Sequence, residues 1–301
     1  KNPYFIVPDF RFNEIKTFVK NGLQDFSISR LKTKMPWGIP VPNDNDHVMY
    51  VWFDALTNYI STLGWPEDTD TFHKFWKDGD PTQYCGKDNT RFQGAMWQAM
   101  LFAAGLPNSY RIVVNGFITG EGGVRMSKTI GNVVDPRDII KEYGTDALRY
   151  FLAREVSNFE DSPFTLERFV EAYNANLANG LGNLVSRIMK MAETNLPSAT
   201  DILEDVIEEE WEESLNKFNI KNATDIIFNR IAELDHIIQD KQPFKLIKTD
   251  KNEGEKVIRD LIIKLYAIAT MLSPIMPKTS EIIKELIKSN KSPTAPLFLR
   301  K

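Results

Sequence analysis

Near residue 119 the hydrophobic periodicity of the chain changes, and that change restricts the accessible folds more than any other feature. Before it, short β-branched and aromatic runs alternate with helical patterns; after it, the spacing is helical to the last patterned segment. His47-Val48-Met49-Tyr50-Val51-Trp52-Phe53 reads as a buried strand that passes at once into a helix over 55–63. Residues 82–85 and 110–114 read as two more strands, separated by a helix over 89–104 that Gly105 stops. Strands alternating with helices imply a parallel sheet with crossover connections. Residues 1–45, with a short amphipathic helix over 13–23 and a Pro-rich stretch over 35–40, read as a lead-in to that sheet.

After Gly116 the chain loosens into a glycine-rich loop over 119–132. Asp135-Pro136 then opens a helix to 143, with proline where no amide hydrogen is needed. Thr145-Asp146 is expected to cap the next, to 156. A long helix follows over 165–193, and further ones over 205–217, 222–242, 255–272 and 279–289. Val257, Ile258, Leu261, Ile262, Leu265, Ile268 and Leu272 keep helical spacing, so that segment packs one broad face. The fold class expected is therefore an α/β half domain with parallel strands, followed by an all-α helix bundle.

Apolar residues at 42% and charged residues at 26% place the chain among soluble globular proteins. It has neither an apolar run of membrane-spanning length nor a secretion-signal pattern at residue 1, and a cytoplasmic location is expected. Cys85 is the single cysteine, so no disulfide forms within the chain and no Cys-rich zinc site is built from it. His47, His73 and His236 show no ligand spacing, and no metal site is expected. The net charge of -4 argues against a protein that coats nucleic acid non-specifically. Lys1-Asn2-Pro3, without an initiator Met, suggests a longer parent chain.

Four groups of residues carry chemistry. Arg125-Met126-Ser127-Lys128-Thr129 lies in the loop, with Gly120, Gly122, Gly123 and Gly131 giving backbone freedom around it. Two cations three residues apart and two hydroxyls suit the spreading charge of a leaving pyrophosphate, although a solvated connection has the same composition. No Walker A pattern is present. Trp52, Ala55 and Tyr59 sit where a strand gives way to a helix, as pocket walls or as core aromatics. Asp88 offers an acceptor carboxylate after a strand, for a ligand or as a plain helix cap. Asn179, Asn183 and Arg187 are spaced by four, on one helical stripe with about 40° of drift per step. Asn174, Asn176, Gly180 and Gly182 lower helix propensity around them, so this stretch gives up local stability for something. Asn and Arg suit the edges of unstacked bases, against the plainer reading of a solvated polar face.

The loop string resembles the KMSKS signature of class I aminoacyl-tRNA synthetases, and Gly131-Asn132-Val133-Val134-Asp135-Pro136 and Asp146-Ala147-Leu148-Arg149-Tyr150 resemble that family's continuation. The segment from Trp52 to Tyr59 is similar to the methionine pocket of the methionyl-tRNA synthetases, Gly86-Lys87-Asp88 to their Gly-Lys-Asp motif, and Gly182-Asn183-Leu184-Val185-Ser186-Arg187 to their anticodon helix. The resemblance implies the second half of a Rossmann-like nucleotide-binding domain over 46–118, a KMSKS-like loop with connecting helices over 119–164, and an anticodon-binding domain over 165–301. It places Lys128, Arg125 and Arg30 at the chemistry, and Gly86, Asp88, Asn115, Ser127 and Lys128 around ATP. Trp52, Ala55, Tyr59, Asn89, Gln93 and Trp97 would surround methionine; Asn179, Asn183, Arg187, Pro243 and Phe244 would meet the anticodon.

The activity implied is methionine-tRNA ligase, with methionine, ATP and tRNA(Met) as partners and Mg2+ accompanying ATP. Gln93, Asn89 and Asn115 depart from a usual His, Ile and His, Leu56 from a frequent Pro, and Phe244 from a Trp. The family's HxGH motif and zinc-bearing insertion are not among these residues, so the resemblance maps to a C-terminal portion that lacks the N-terminal half of the catalytic domain. By itself such a segment is expected not to activate an amino acid. Two other readings stay open: a non-catalytic tRNA-binding module, and a synthetase for another apolar amino acid.

Overall fold

The computed structural model describes residues 2–202 and 207–301. The chain divides into two compact units, Lys1–Phe117 and Ile118–Lys301.

The first unit is built on a three-stranded parallel sheet in which Arg111–Asn115 lies between Ile6–Val7 and Thr82–Gly86. Ile112, Val113 and Val114 are all buried, as a central parallel strand covered on both faces requires. Helix Asp9–Lys20 turns Ile15 into a small core with Ile6, Ile112 and Val114; it begins before the expected residue 13. Ile6–Val7 is too short for a two-residue period to reveal.

The run from His47 does not join this sheet. Asp44–Met49 is the middle of a separate antiparallel sheet, between Ser29–Leu31 and Pro40–Val41, and in it only Val48 is buried. β-branched and aromatic content marks a strand but not the direction of its partner, which tertiary pairing decides. The chain then enters the short helices Val51–Ala55 and Asn58–Ser61. The helix expected over 89–104 is composite: a 3-10 turn Lys87–Asn89, a wide π-helical turn Phe92–Met96 and an α-helix Trp97–Ala103. Leu56, Ile60, Phe72, Trp76, Met96, Trp97 and Leu101 form the core beneath it.

The second unit is helical apart from a two-stranded pair, Ile118–Thr119 with Ser162–Pro163. Pro136–Tyr143 is capped by Asp135, whose carboxylate accepts from Arg137 N. Thr145–Arg154 follows Gly144, and Asp146 does not cap it. Its buried carboxylate instead accepts from Thr279 N at 2.7 Å and Thr279 Oγ1 at 2.8 Å, at the start of helix Pro277–Ser289. The run expected over 165–193 is continuous but widens in the middle: Leu166–Ala172, a π-helical stretch Tyr173–Gly182, then Asn183–Asn195.

The helix expected from Asp205 starts outside the described residues, and its described part is Glu209–Asn216. Ile220–Lys241, Pro243–Thr249, Lys251–Leu272 and Pro277–Ser289 complete the bundle. Gln242, left-handed at φ 41°, separates Ile220–Lys241 from the unexpected short helix Pro243–Thr249. Each apolar position singled out between Val257 and Leu272 is buried, so that helix forms the spine of the bundle core. Among the described residues no helix is long and apolar enough to cross a membrane.

Candidate functional sites

The parallel sheet ends at paired residues, Gly86 opposite Asn115. This is the carboxyl edge at which open parallel sheets bind ligands. Asp88 sits in the 3-10 turn directly after the strand, and a Cβ on Gly86 would lie 3.0 Å from Asp88 Oδ1. The carboxylate therefore lies close to Gly86 at the tip of the strand. Burial first and the Asp88 charge second push the Cys85 thiol up to about 11.

The aromatic residues form a second group in the same unit. Trp52 stacks on Phe92, with ring centroids 4.8 Å apart and planes 16° from parallel. Tyr59 accepts at its hydroxyl from Gln93 Nε2 at 2.8 Å and stands 6.0 Å from the Trp97 ring. The wide turn Phe92–Met96 thus supplies a contact to each of the two aromatic residues on the facing helices. Gln93 Oε1 and Trp97 Nε1 are buried without a partner among the described residues.

Ala55 and Asn89 are half-buried, and among the described residues no side-chain hydrogen bond ties Asn89 to the group. The segment carrying Trp52 leaves an antiparallel strand, so the reasoning that put it at a parallel edge is corrected while the aromatic grouping stands. Arg30 lies on the antiparallel sheet, donates to Ser27 O and Ser29 O, and packs 4.1 Å over the Tyr50 ring. Tyr50 immediately precedes helix Val51–Ala55, which brings Arg30 to the Trp52 segment.

In the second unit the cationic loop is knitted by Asn132. Its Oδ1 accepts from Ser127 N at 2.9 Å and its Nδ2 donates to Arg125 O at 3.3 Å. Ser127 Oγ accepts from Ile130 N, and Gly131, at φ 75°, closes the turn. Lys128 is exposed and pairs with no carboxylate among the described residues. A fixed backbone thus presents an unneutralised ammonium group, which suits binding of an anionic group.

On the long helix Asn179 and Asn183 are exposed, and neither side chain has a hydrogen-bond partner among the described residues. Four residues overshoot an α-helical turn by about 40°; in the wide turn that ends at Gly182, four fall short of a turn. The drift from Asn179 to Asn183 therefore opposes that from Asn183 to Arg187, which straightens the stripe. Arg187 is paired with Asp235 on helix Ile220–Lys241, and Asp235 Oδ2 accepts from Gln239 Nε2 at 2.5 Å. Pro243 is buried and holds Phe244 on the surface, 45% exposed.

Sequence reasoning overlooked Phe92 and Asp235 as partners of site residues. The aromatic flanking the Gly-Lys-Asp turn was a signal for the first; nothing in the sequence links Asp235 to a residue 48 positions away.

These features define an α/β unit built on a parallel sheet, followed by a helical unit, with polar groups left unpaired on both among the described residues. A model of the family tRNA synthetases class I (M) matches residues 8–189, and the chain belongs to that family. It is 38% identical over 299 residues to the methionine-tRNA ligase of Brucella suis biovar 1, taking in 95% of this chain and 57% of that protein. With the methionine-tRNA ligase of Thermotoga maritima the identity is 34% over 308 residues, or 98% and 48% of the two chains. The solved Mycobacterium tuberculosis methionyl-tRNA synthetase in complex with methionyl-adenylate superposes with a TM-score of 0.83 at 34% identity, covering 94% of this chain and 58% of that one. The chain spans about half the length of the curated relatives it matches.

Proposed function

We propose that the protein to which this chain belongs is a methionine-tRNA ligase. The methionine carboxylate oxygen attacks the α-phosphorus of ATP, the bond from that phosphorus to the bridging oxygen breaks, and pyrophosphate leaves. A ribose hydroxyl of the terminal adenosine of tRNA then attacks the carbonyl carbon of methionyl-adenylate, and AMP leaves. No covalent enzyme intermediate is needed, so the protein's contribution is positioning and placed charge.

In this reading Lys128, with Ser127 and Arg125 in the knitted loop, binds the phosphates, and Arg30 also serves the chemistry. Gly86, Asp88 and Asn115 receive the adenosine. Trp52, Ala55, Tyr59, Asn89, Gln93 and Trp97 receive methionine, whose thioether packs well on aromatic rings. Asn179, Asn183 and Arg187 read the anticodon, and Phe244, on buried Pro243, stacks on a base. Residues 165–301 act as the anticodon-binding domain and 119–164 carry the loop and its connecting helices. Mg2+ enters on the phosphates of ATP, and no residue of this chain is assigned to it. The reaction belongs to the cytoplasm, where tRNA is charged for translation.

The observation that carries the reading is the aromatic group in which Trp52, Phe92, Tyr59, Gln93 and Trp97 meet. ATP-pyrophosphate exchange by the full-length protein, with methionine against leucine, isoleucine and valine, tests it. Exchange confined to methionine is expected. Exchange with another of these amino acids would make it a sibling synthetase, and none with any would leave a tRNA-binding module.

A further inference from the structure

Behind the aromatic group lies a buried amide that no functional residue touches directly except through its backbone. Gln98, 8% exposed, uses all four of its hydrogen-bonding positions. Its Nε2 donates to Gln93 O at 2.9 Å and to Ser109 Oγ at 3.0 Å; its Oε1 accepts from Asn108 Nδ2 at 3.0 Å and Ser109 N at 3.1 Å. A backbone carbonyl only accepts and a backbone amide only donates, so Gln93 O and Ser109 N together fix which end of the amide is oxygen. Ser109 Oγ in turn donates to Gln83 Oε1 at 2.6 Å, on the parallel strand Thr82–Gly86.

The chain of bonds therefore runs from the parallel sheet, through Ser109 and Gln98, to the carbonyl of Gln93. Gln93 lies in the wide turn, and its side chain holds Tyr59. Wide turns are frequent at functional positions in helices and carry longer i→i−5 backbone bonds in place of the α-helical ones. This one is held by a side chain from the following α-helix.

We infer that Gln98 is a positioning residue for amino-acid binding: by bracing the turn Phe92–Met96 against the parallel sheet it keeps Gln93 and Phe92 on Tyr59 and Trp52. The inference rests on the methionine-pocket reading above. Removing the central amide takes a partner from Gln93 O, Asn108 Nδ2 and Ser109 N at once, and buried groups that lose their partner are costly, so the turn is released.

The test uses the full-length protein in ATP-pyrophosphate exchange. In Gln98→Leu, about the same size but without the amide, the KM for methionine is expected to rise about tenfold while the KM for ATP stays within twofold. Gln93→Leu should raise the methionine KM as well, and the double variant should be no worse than the more impaired single one, because the two act through one turn.

An unchanged methionine KM in folded Gln98→Leu, equal rises for methionine and ATP, or additive effects in the double variant would each overturn the inference. Should Gln98→Leu fail to fold, Asn108→Ala removes a single bond of the four. A two- to threefold rise confined to methionine then supports the brace, and no rise overturns it. If the unaltered protein shows no methionine-dependent exchange, the pocket reading itself falls and the inference with it; failure confined to the variants leaves that reading intact.

Discussion

Replacing Asp146 by alanine should loosen the last helix of the bundle, 133 residues away in the chain. The carboxylate is 7% exposed and is the acceptor for two buried donors at the start of Pro277–Ser289, the amide and hydroxyl of Thr279, itself 5% exposed. Stranding the amide costs about 2 kcal/mol, and the hydroxyl, which can rotate, about 1 kcal/mol. Losing a negative charge at a helix N-terminus adds about 0.5 kcal/mol. Against these, Asp146 Oδ1 is buried without a partner among the described residues, and removing that orphan returns about 1 kcal/mol.

The net loss is about 2–3 kcal/mol, which corresponds to a fall of about 30- to 150-fold in amide hydrogen-exchange protection. The assay is peptide-resolved exchange over residues 280–289, which reads local opening and does not require the two units to unfold together. Asp146→Asn keeps an acceptor and gives up the charge, so its protection should fall by less than tenfold. Protection in Asp146→Ala within threefold of the unaltered protein would refute the reasoning.

The other expectations concern the sites. Asn183→Ala together with Arg187→Ala should weaken binding of tRNA(Met) to the full-length protein at least tenfold in a filter or polarisation assay, since each hydrogen bond lost contributes about 1 kcal/mol or more; equal binding would remove the anticodon assignment. Lys128→Ala should lower the exchange rate about 100-fold, the scale of one removed electrostatic contact, with an unchanged melting temperature because the side chain is exposed; a rate within threefold would leave the loop without a role in phosphate binding. The Cys85 thiol, raised from 9.0 to about 11, keeps its proton in the folded state while the unfolded chain loses it. Stability should therefore decline as pH rises from 9 toward 11. Iodoacetamide at pH 8.5 should modify Cys85 far more slowly in the native protein than in urea, and equal rates would contradict this.

The helical unit was largely legible because its signals are local. The spacing from Val257 to Leu272 and Pro136 after Asp135 each state a helix or its start, and each does so in the structure. The α/β unit was half legible. Gly105, at φ 69°, stops its helix as expected, yet His47 to Met49 pairs antiparallel in a sheet separate from the parallel one. A strand's composition reports burial and branching, whereas direction depends on which distant backbone it meets. Asp146 shows the same limit at one residue: Thr145-Asp146 has the form of a cap, and it caps a helix whose start lies beyond any local window. In the candidate sites the chemistry-bearing residues were recognisable by type, but their partners were not. Phe92 under Trp52 and Asp235 on Arg187 both come from the packing of separate elements.

The low helix propensity around residues 174–183 can now be divided among causes. A Cβ on Gly182 would lie 3.0 Å from the carbonyl oxygen of Leu177, five residues back. The wide turn brings those two atoms together, so Gly182 serves backbone geometry and needs no RNA to explain it. Asn174 is bonded in both directions to Lys301, which accounts for a second residue by packing. Asn179 and Asn183 remain exposed, without a side-chain hydrogen bond among the described residues, and in a helix that would be more stable with Lys or Glu in their place. The excess cost thus falls on the two side chains whose drift the wide turn corrects, beside an Arg187 that is held only by a half-exposed ion pair. Such a pair contributes about 0–1 kcal/mol, so Arg187 can exchange Asp235 for a base edge at little expense. These three facts support the proposed anticodon surface, and the paired substitution Asn183→Ala with Arg187→Ala is the measurement that separates it from a solvated polar face.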